Sequence, residues 1–361
     1  MICKSVYYRN FRNIAEQRIE FSPETNLILG PNAQGKTNAL EGMYLCAQGR
    51  SHRTIHEKEF IRFGEAFAEV GLCYQDSIRD NQLAIRYKGG RKGCLKNGVP
   101  LKKMSEFIGN FRAVLFTPEH LSIVKEGPAL RRNFLDSALS QLSSGYVSSL
   151  QIYHRALMQR NKLLLSAQKG EIKGIESLAE VWSMQLAKES AYLSAQREAY
   201  VQSLNEIVKL VFADMTGNRE IPTVSYLGRK DEAEFELQLT ANLDREIRAG
   251  TTLYGIHKDD LTLTINGKDA RSFASQGQQR SLALAMKLAE GELSKKEMGE
   301  YPVFLLDDIL SELDSTRKAY ILSGIQGKQV IMTACEDLSP VLSGKCNIIR
   351  CENGLYNSCK I

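Results

Sequence analysis

The chain has 361 residues, 43% hydrophobic and 25% charged, which is enough for two or three domains with a substantial core. No apolar run reaches the length of a membrane span, which argues against an integral membrane protein. A net charge of +5 permits contact with nucleic acid without requiring it, and eight scattered cysteines with no Cys-x-x-Cys pair argue against a disulfide frame or a zinc site.

The N-terminus, Met1-Ile2-Cys3-Lys4, runs straight into strand-like alternation, so no signal peptide is expected and a cytoplasmic location follows. Ile2–Tyr8 and Gln17–Phe21 read as strands of a half-exposed sheet, with Asn10-Phe11-Arg12-Asn13-Ile14 between them. Asn26-Leu27-Ile28-Leu29 is a short apolar run of the kind that forms a buried strand. It leads into Gly30-Pro31-Asn32-Ala33-Gln34-Gly35-Lys36-Thr37, which fits the phosphate-loop pattern Gly-x4-Gly-Lys-[Ser/Thr], and Asn38–Leu45 then carries helical spacing. Strand, glycine loop and helix are the context this motif requires. The glycines turn backbone N–H groups toward phosphate oxygens, and the helix adds its positive end. In this reading Lys36 reaches the β- and γ-phosphates of ATP and Thr37 offers its hydroxyl to Mg²⁺.

Gly49-Arg50-Ser51-His52-Arg53-Thr54 is polar and loop-like. Phe67–Tyr74, Gln82–Lys88 and Gly93–Lys96 suggest an antiparallel meander with Gly89-Gly90 and Asn97-Gly98 in its turns. Residues 79–103 are strongly basic, and Arg86, Lys88, Arg91, Lys92 and Lys96 are candidates for a strip that meets DNA phosphates; the alternative is a solvated hairpin. Arg112–Thr117 is another buried strand. From Pro128 the character changes: 130–168 and 175–212 carry apolar residues at three- and four-residue spacing, which predicts two antiparallel helices of roughly 55–60 Å each. They would form a compact helical arm, too short for a long coiled-coil rod.

After Pro222 strand-like alternation returns, with Phe235-Glu236-Leu237-Gln238-Leu239 as one strand and Leu261–Ile265 meeting a hairpin turn at Asn266-Gly267. Ser275 has capping-box spacing with Gln278 at the head of a clear helix, a device that can also bind phosphate. Val303-Phe304-Leu305-Leu306-Asp307-Asp308 is an apolar strand ending in two carboxylates, whose end would face a ligand crevice. Asp307 would hold Mg²⁺ through water and Asp308 would polarise the attacking water.

Together the phosphate loop, Ser275-Gln276-Gly277-Gln278 and Leu305-Leu306-Asp307-Asp308 followed by Ser311-Glu312-Leu313-Asp314 resemble the ABC-type ATPase heads of the SMC class. Within it the chain is similar to the RecF family through Gly49–Thr54, Arg131-Arg132-Asn133-Phe134-Leu135-Asp136, Gln159-Arg160-Asn161 and Phe273–Arg280. The resemblance implies an α/β P-loop head, a mixed sheet plus an antiparallel β-subdomain, split into 1–127 and 217–361 around an inserted helical arm at 128–216. It further implies an ATP-dependent homodimer in which Ser275 of one subunit closes over nucleotide held by Lys36 of the other. Arg12, Asn38, Gln278 and Asp314 join Gly30–Thr37 at the nucleotide. Slow hydrolysis fits Thr333, which stands where many ABC proteins place a histidine, while Lys258 departs from the family's arginine. The implied partners are DNA at single-strand–double-strand junctions or gaps and mediators of the RecO and RecR kind. The implied role is RecA loading and support of the SOS response. A long-rod SMC-like DNA-end-binding ATPase, a transporter-type ABC ATPase and a small-molecule kinase are the alternatives.

Overall fold

In a computed structural model of the chain, the structure describes residues 1–54, 56–172, 174–338 and 346–359, the last without its side chain. Two six-stranded sheets sandwich the phosphate-loop helix. One is antiparallel, in the order Ile14–Glu20, Ile2–Phe11, Phe67–Gln75, Asp80–Lys88, Arg91–Lys96, Val99–Leu101. The other runs Leu355–Cys359, Cys346–Glu352, Thr25–Leu29, Val330–Ala334, Val303–Asp307, Ala113–Phe116, parallel throughout except for the hairpin at its first edge. Every residue of Ala113–Phe116, Val303–Asp307 and Val330–Ala334 is buried, which is why these strands read as continuous apolar runs rather than alternating ones. The helix Lys36–Gln48 is buried nearly all round, because the antiparallel sheet covers the side that a surface helix would turn to water. Gly42 lies where the helix crosses Tyr8: a Cβ there would come within 2.4 Å of the tyrosine ring.

The antiparallel meander forms as its spacing predicts, and Gly89, Gly90, Asn97 and Gly98 all take the positive φ that its tight turns require. The first helical run is different: it breaks at Ser143, giving Pro128–Leu142 and Ser144–Gln168 in place of one helix, followed by the 41-residue Glu176–Thr216. Ser143 sits in the extended region and caps the new helix by accepting from the Tyr146 N–H at 3.1 Å. Ser144–Gln168 and Glu176–Thr216 run antiparallel, with Ser149 beside Glu189 and Arg160 beside Ser183.

Phe235–Leu239 is a helix, Glu232–Ala241, and not the expected strand. Asp231 and Glu234 form a reciprocal capping box, and the helical spacing buries Phe235 and Leu239 while Leu237 stays 72% exposed. The apolar residues at 235, 237 and 239 fit a strand by themselves; the cap decided the matter.

The helices share one apolar core with the three-stranded sheet Lys268–Asp269, Asp260–Ile265, Pro222–Leu227 and with the start of the helix Gln276–Met298. Buried and partly buried ion pairs cross this seam. Arg197 reaches Asp136 at 2.8 Å and Asp259 at 3.2 Å; Arg160 meets Glu246 at 2.6 Å; Arg131 holds Asp260 at 2.6 Å. Two of the arginine-bearing stretches singled out in the sequence, Arg131–Asp136 and Gln159–Asn161, therefore fasten helices to the 246–260 segment. Lys258, by contrast, lies in a short 3-10 turn, its backbone N–H bonded to Gly255.

Candidate nucleotide site and its surroundings

The phosphate loop rises from Thr25–Leu29 and ends at Gly35, whose φ of 113° starts the helix with no side-chain cap, leaving the first helical N–H groups free for an anion. The C-terminal hairpin braces the loop from behind. The Asn353 N–H donates to Gln34 Oε1 at 2.7 Å, the Gly354 N–H donates to the Gln34 carbonyl at 2.9 Å, and the Tyr356 hydroxyl donates to the Gly35 carbonyl at 2.9 Å. A Cβ on Gly30 would sit 2.1 Å from the Cys351 carbonyl oxygen, so only glycine fits. On the other side Asn13 Nδ2 donates to the Gln34 carbonyl at 3.0 Å and Asn38 Nδ2 to Asn13 Oδ1 at 2.8 Å. Lys36 folds back: its Nζ donates to the carbonyls of Gly30 at 2.6 Å and Pro31 at 2.8 Å and lies 3.3 Å from Cys335 Sγ.

Strand pairing delivers the second half of this site. Val303–Asp307 ends beside the loop, and Asp307 Oδ1 accepts from Thr37 Oγ1 and from Thr333 Oγ1, each at 2.9 Å. Burial pushes the Asp307 carboxyl up from its ordinary value, while the two hydroxyls pull it back. Asp308 takes a left-handed φ of 49°, and its N–H donates to Thr333 Oγ1 at 2.9 Å, so the chain turns sharply at the sheet edge. A hydroxyl and a carboxylate this close are hard oxygen donors suited to Mg²⁺ completed by phosphate and water. No cluster of three or more His, Cys, Asp or Glu with metal-binding geometry occurs among the described residues.

Glu41 was not singled out in the sequence, yet it organises one wall. Its fully buried carboxylate accepts from Arg12 Nη2 at 2.7 Å, Arg12 Nε at 3.0 Å, Ser51 Oγ at 2.6 Å and Arg53 Nη1 at 3.2 Å. Burial alone would raise its carboxyl; the bonds from Arg12 and Ser51 and the two guanidinium charges hold it below the usual range. Arg53 also donates to Asn38 Oδ1 at 2.8 Å. The polar stretch Gly49–Thr54 thus returns to the helix that precedes it. Its spacing from Arg12 gave no hint of this.

Ser275 caps Gln276–Met298, accepting from the Gln278 N–H at 3.2 Å while Gln278 Oε1 accepts from the Ser275 N–H at 2.6 Å. Gln278 also bonds Glu220. Arg317 ties this helix start to the 308–314 segment: it donates to the Gly277 carbonyl at 2.8 Å and Ser281 Oγ at 2.9 Å and pairs with Asp314, which caps the next helix. Ser275 is exposed, Phe273 beside it is 73% exposed, and no hydrogen bond joins residues 275–280 to residues 30–37 among the described residues.

The basic meander does not present one strip. Arg86, Lys88 and Arg91 lie on its outer face, while Lys92 and Lys96 share the face of buried Cys94. Lys92 is held by Glu57 at 2.6 Å and by the Gly49 carbonyl, Lys96 donates to Asn110 at 2.5 Å, and Arg86 pairs with Glu69 at 2.7 Å. Strand alternation divides what the linear count put together.

The family model described as RecF/RecN/SMC N terminal domain matches residues 2–339. The DNA replication and repair protein RecF of Agathobacter rectalis is 41% identical over 335 residues, covering 92% of each chain. A solved structure of the recombination mediator protein RecF-ATPrS in the RecFOR pathway superposes with a TM-score of 0.91 at 33% identity, covering 99% of this chain and 98% of that one; the corresponding RecF-ATP structure gives 0.89. With a phosphate loop, an Asp-ended neighbouring strand and a serine-capped helix on one α/β fold, and with relatives matching over nearly the whole length, the chain belongs to the RecF family of SMC-class ATPase heads.

Proposed function

We propose that the chain is an ATP-gated DNA clamp acting in replication and repair. The observation that carries this reading is the separation of the two half-sites. The phosphate loop with Thr37 and Asp307 forms one half; Ser275 stands exposed at a helix start that makes no hydrogen bond to the loop, with Phe273 bare beside it. A second copy would supply Ser275 to nucleotide held by Lys36, and cover Phe273 in doing so. ATP binding then drives dimerisation by linkage, since only the dimer satisfies both ends of the triphosphate.

In that complex Lys36 leaves the carbonyls of Gly30 and Pro31 for the β- and γ-phosphates, while Gly30–Gly35 and Asn38 surround the rest. Thr37 and Asp307 would hold Mg²⁺, which would supply positive charge against the charge developing on the phosphates. Asp308, at the turn beyond the strand, orients the attacking water. Thr333 brings no titratable ring to this place; its hydroxyl instead fixes Asp307, which supports slow turnover. Gln278 and Asp314 stand beside Ser275 and would face the partner's nucleotide. DNA contact is through phosphates, hence salt-sensitive and poor in sequence preference. Family membership supports action at gapped or junction DNA with RecO- and RecR-type mediators, toward RecA loading. No helix among the described residues is long and apolar enough to cross a membrane.

Sedimentation of the full chain with and without ATP and DNA tests the reading. A shift from monomer to dimer on adding ATP, with tighter DNA binding, is expected. A species that stays monomeric and binds duplex equally well in both conditions overturns it.

A further inference from the structure

The cluster on Glu41 carries more than a structural tie. A carboxylate with no exposure to water sits on the phosphate-loop helix between two sheets, where an unpaired charge would be very costly. It receives two guanidinium groups from distant parts of the chain, Arg12 at the end of the first strand and Arg53 in the polar loop. Glu59, whose carboxylate lies 3.7 Å from Arg12 Nη1, is a second carboxylate beside the two guanidinium groups, and Arg62 on the same wall restores one surplus positive charge. That surplus lies at the wall of a cleft of about 740 Å³ whose lining includes Arg12, Asn13, Asn38 and Arg53. The cleft opens beside the first turn of the phosphate-loop helix, where Asn38 bridges Asn13 and Arg53. Arg12 takes a left-handed φ of 53°, uncommon for a non-glycine residue; its N–H donates to the Phe60 carbonyl at 2.8 Å and its Nη1 to the Glu59 carbonyl at 3.0 Å. The backbone is thus held in an unfavourable conformation that delivers the side chain to Glu41.

We propose that Glu41 is a positioning residue: its carboxylate aims the guanidinium groups of Arg12 and Arg53 across the mouth of the phosphate loop at the phosphates of the bound nucleotide. This rests on the nucleotide reading above and assigns a function to a residue that touches no phosphate itself. Glu41 already orders both arginines, so binding does not bear the cost of fixing two long side chains.

The test compares Glu41→Gln, which keeps shape and loses charge, with Glu41→Asp, which keeps charge, and adds Arg12→Ala alone and in the Glu41→Gln background. Thermal melting without nucleotide, the ATP dissociation constant, and kcat and KM are measured on the full chain. Glu41→Gln is expected to melt within a few degrees of the parent yet to bind ATP at least tenfold more weakly, and Glu41→Asp to recover most of that loss. Arg12→Ala should add little once Glu41→Gln is present, because the guanidinium has already lost its aim. Parental ATP affinity in Glu41→Gln overturns the proposal, as does full additivity of the two changes. So does a large drop in melting temperature in both Glu41 variants whose folded fraction binds ATP normally. If the parent chain itself binds no ATP, the nucleotide reading fails first and separately.

Discussion

Replacing Lys36 by Met separates the nucleotide's contribution from the fold's own. The Lys36 ammonium donates to two loop carbonyls, and the residue is 6% exposed. Methionine keeps the apolar stem, and losing two charge-assisted hydrogen bonds is offset by removing a buried charge. The melting temperature without nucleotide should therefore change little, by about 1 kcal/mol or less. With nucleotide the balance differs. Truncating one partner of a desolvated charge pair costs about 2–5 kcal/mol, so ATP should bind roughly 30- to several thousand-fold more weakly. At ATP one hundred times the parent's dissociation constant, linkage stabilises the parent by about 2.7 kcal/mol; the variant would keep less than about 0.9 kcal/mol at the same concentration. Melting scans with and without ATP, alongside sedimentation, read both quantities. A Lys36→Met chain that still dimerises with ATP, or whose melting point still rises as the parent's does, refutes the assignment of this loop.

Ser275→Arg should leave ATP binding to the monomer intact, since the serine lies apart from the loop, and should abolish the dimer; ATP-dependent sedimentation that survives it places the interface elsewhere. Asp308→Asn should give a long-lived ATP-bound dimer, whereas rapid turnover by this variant would mean that another group activates the water. Because Lys92 and Lys96 are already engaged by Glu57 and Asn110, only the outer pair Lys88 and Arg91 should matter for DNA. Changing both to Gln should flatten the log–log salt dependence of DNA binding by about 1.8, and an unchanged slope leaves the hairpin merely solvated. Stability should fall on acidification. Burial drives His52 and His257 down to about 4, so between pH 6.5 and 4 the unfolded chain binds the extra protons, and this stabilisation is full above pH 6.5 and lost below it. Asp259, pushed up to about 6 by burial, opposes this by taking up a proton in the folded state. Burial lowers His120 and His154 as well, and raises Asp307 and Glu290; with four histidines set against these three carboxyls, the chain should be less stable at pH 5 than at pH 7.5. Denaturant titrations giving equal stability at the two pH values would contradict the burial of these rings.

What the linear chain determined by itself is local chemistry. Glycines at fixed offsets before Lys36, an apolar run ending in Asp307 and a serine three residues ahead of Gln278 each dictate a short piece of backbone, because turn, strand end and helix cap are set by neighbouring residues. The same locality explains the meander and its Asn-Gly and Gly-Gly turns. Where local signals conflict, the helix cap wins: the box between Asp231 and Glu234 outweighs an alternating triplet, and Ser143 breaks a run that periodicity alone would continue.

Only the folded chain decided which distant groups meet. Asp307 finds Thr37 because their strand and helix are joined through a parallel sheet, a pairing 270 residues apart in sequence. Tyr356 and Asn353 brace the phosphate loop from the far end of the chain, and Glu41 gathers Arg12 and Arg53 from either side of its own helix. Strand alternation split the basic stretch between two faces. Charge and composition are properties of a list of residues, but the electrostatic field at a site depends on which side chains the topology turns inward. That depends on long-range pairing, and no local spacing encodes it.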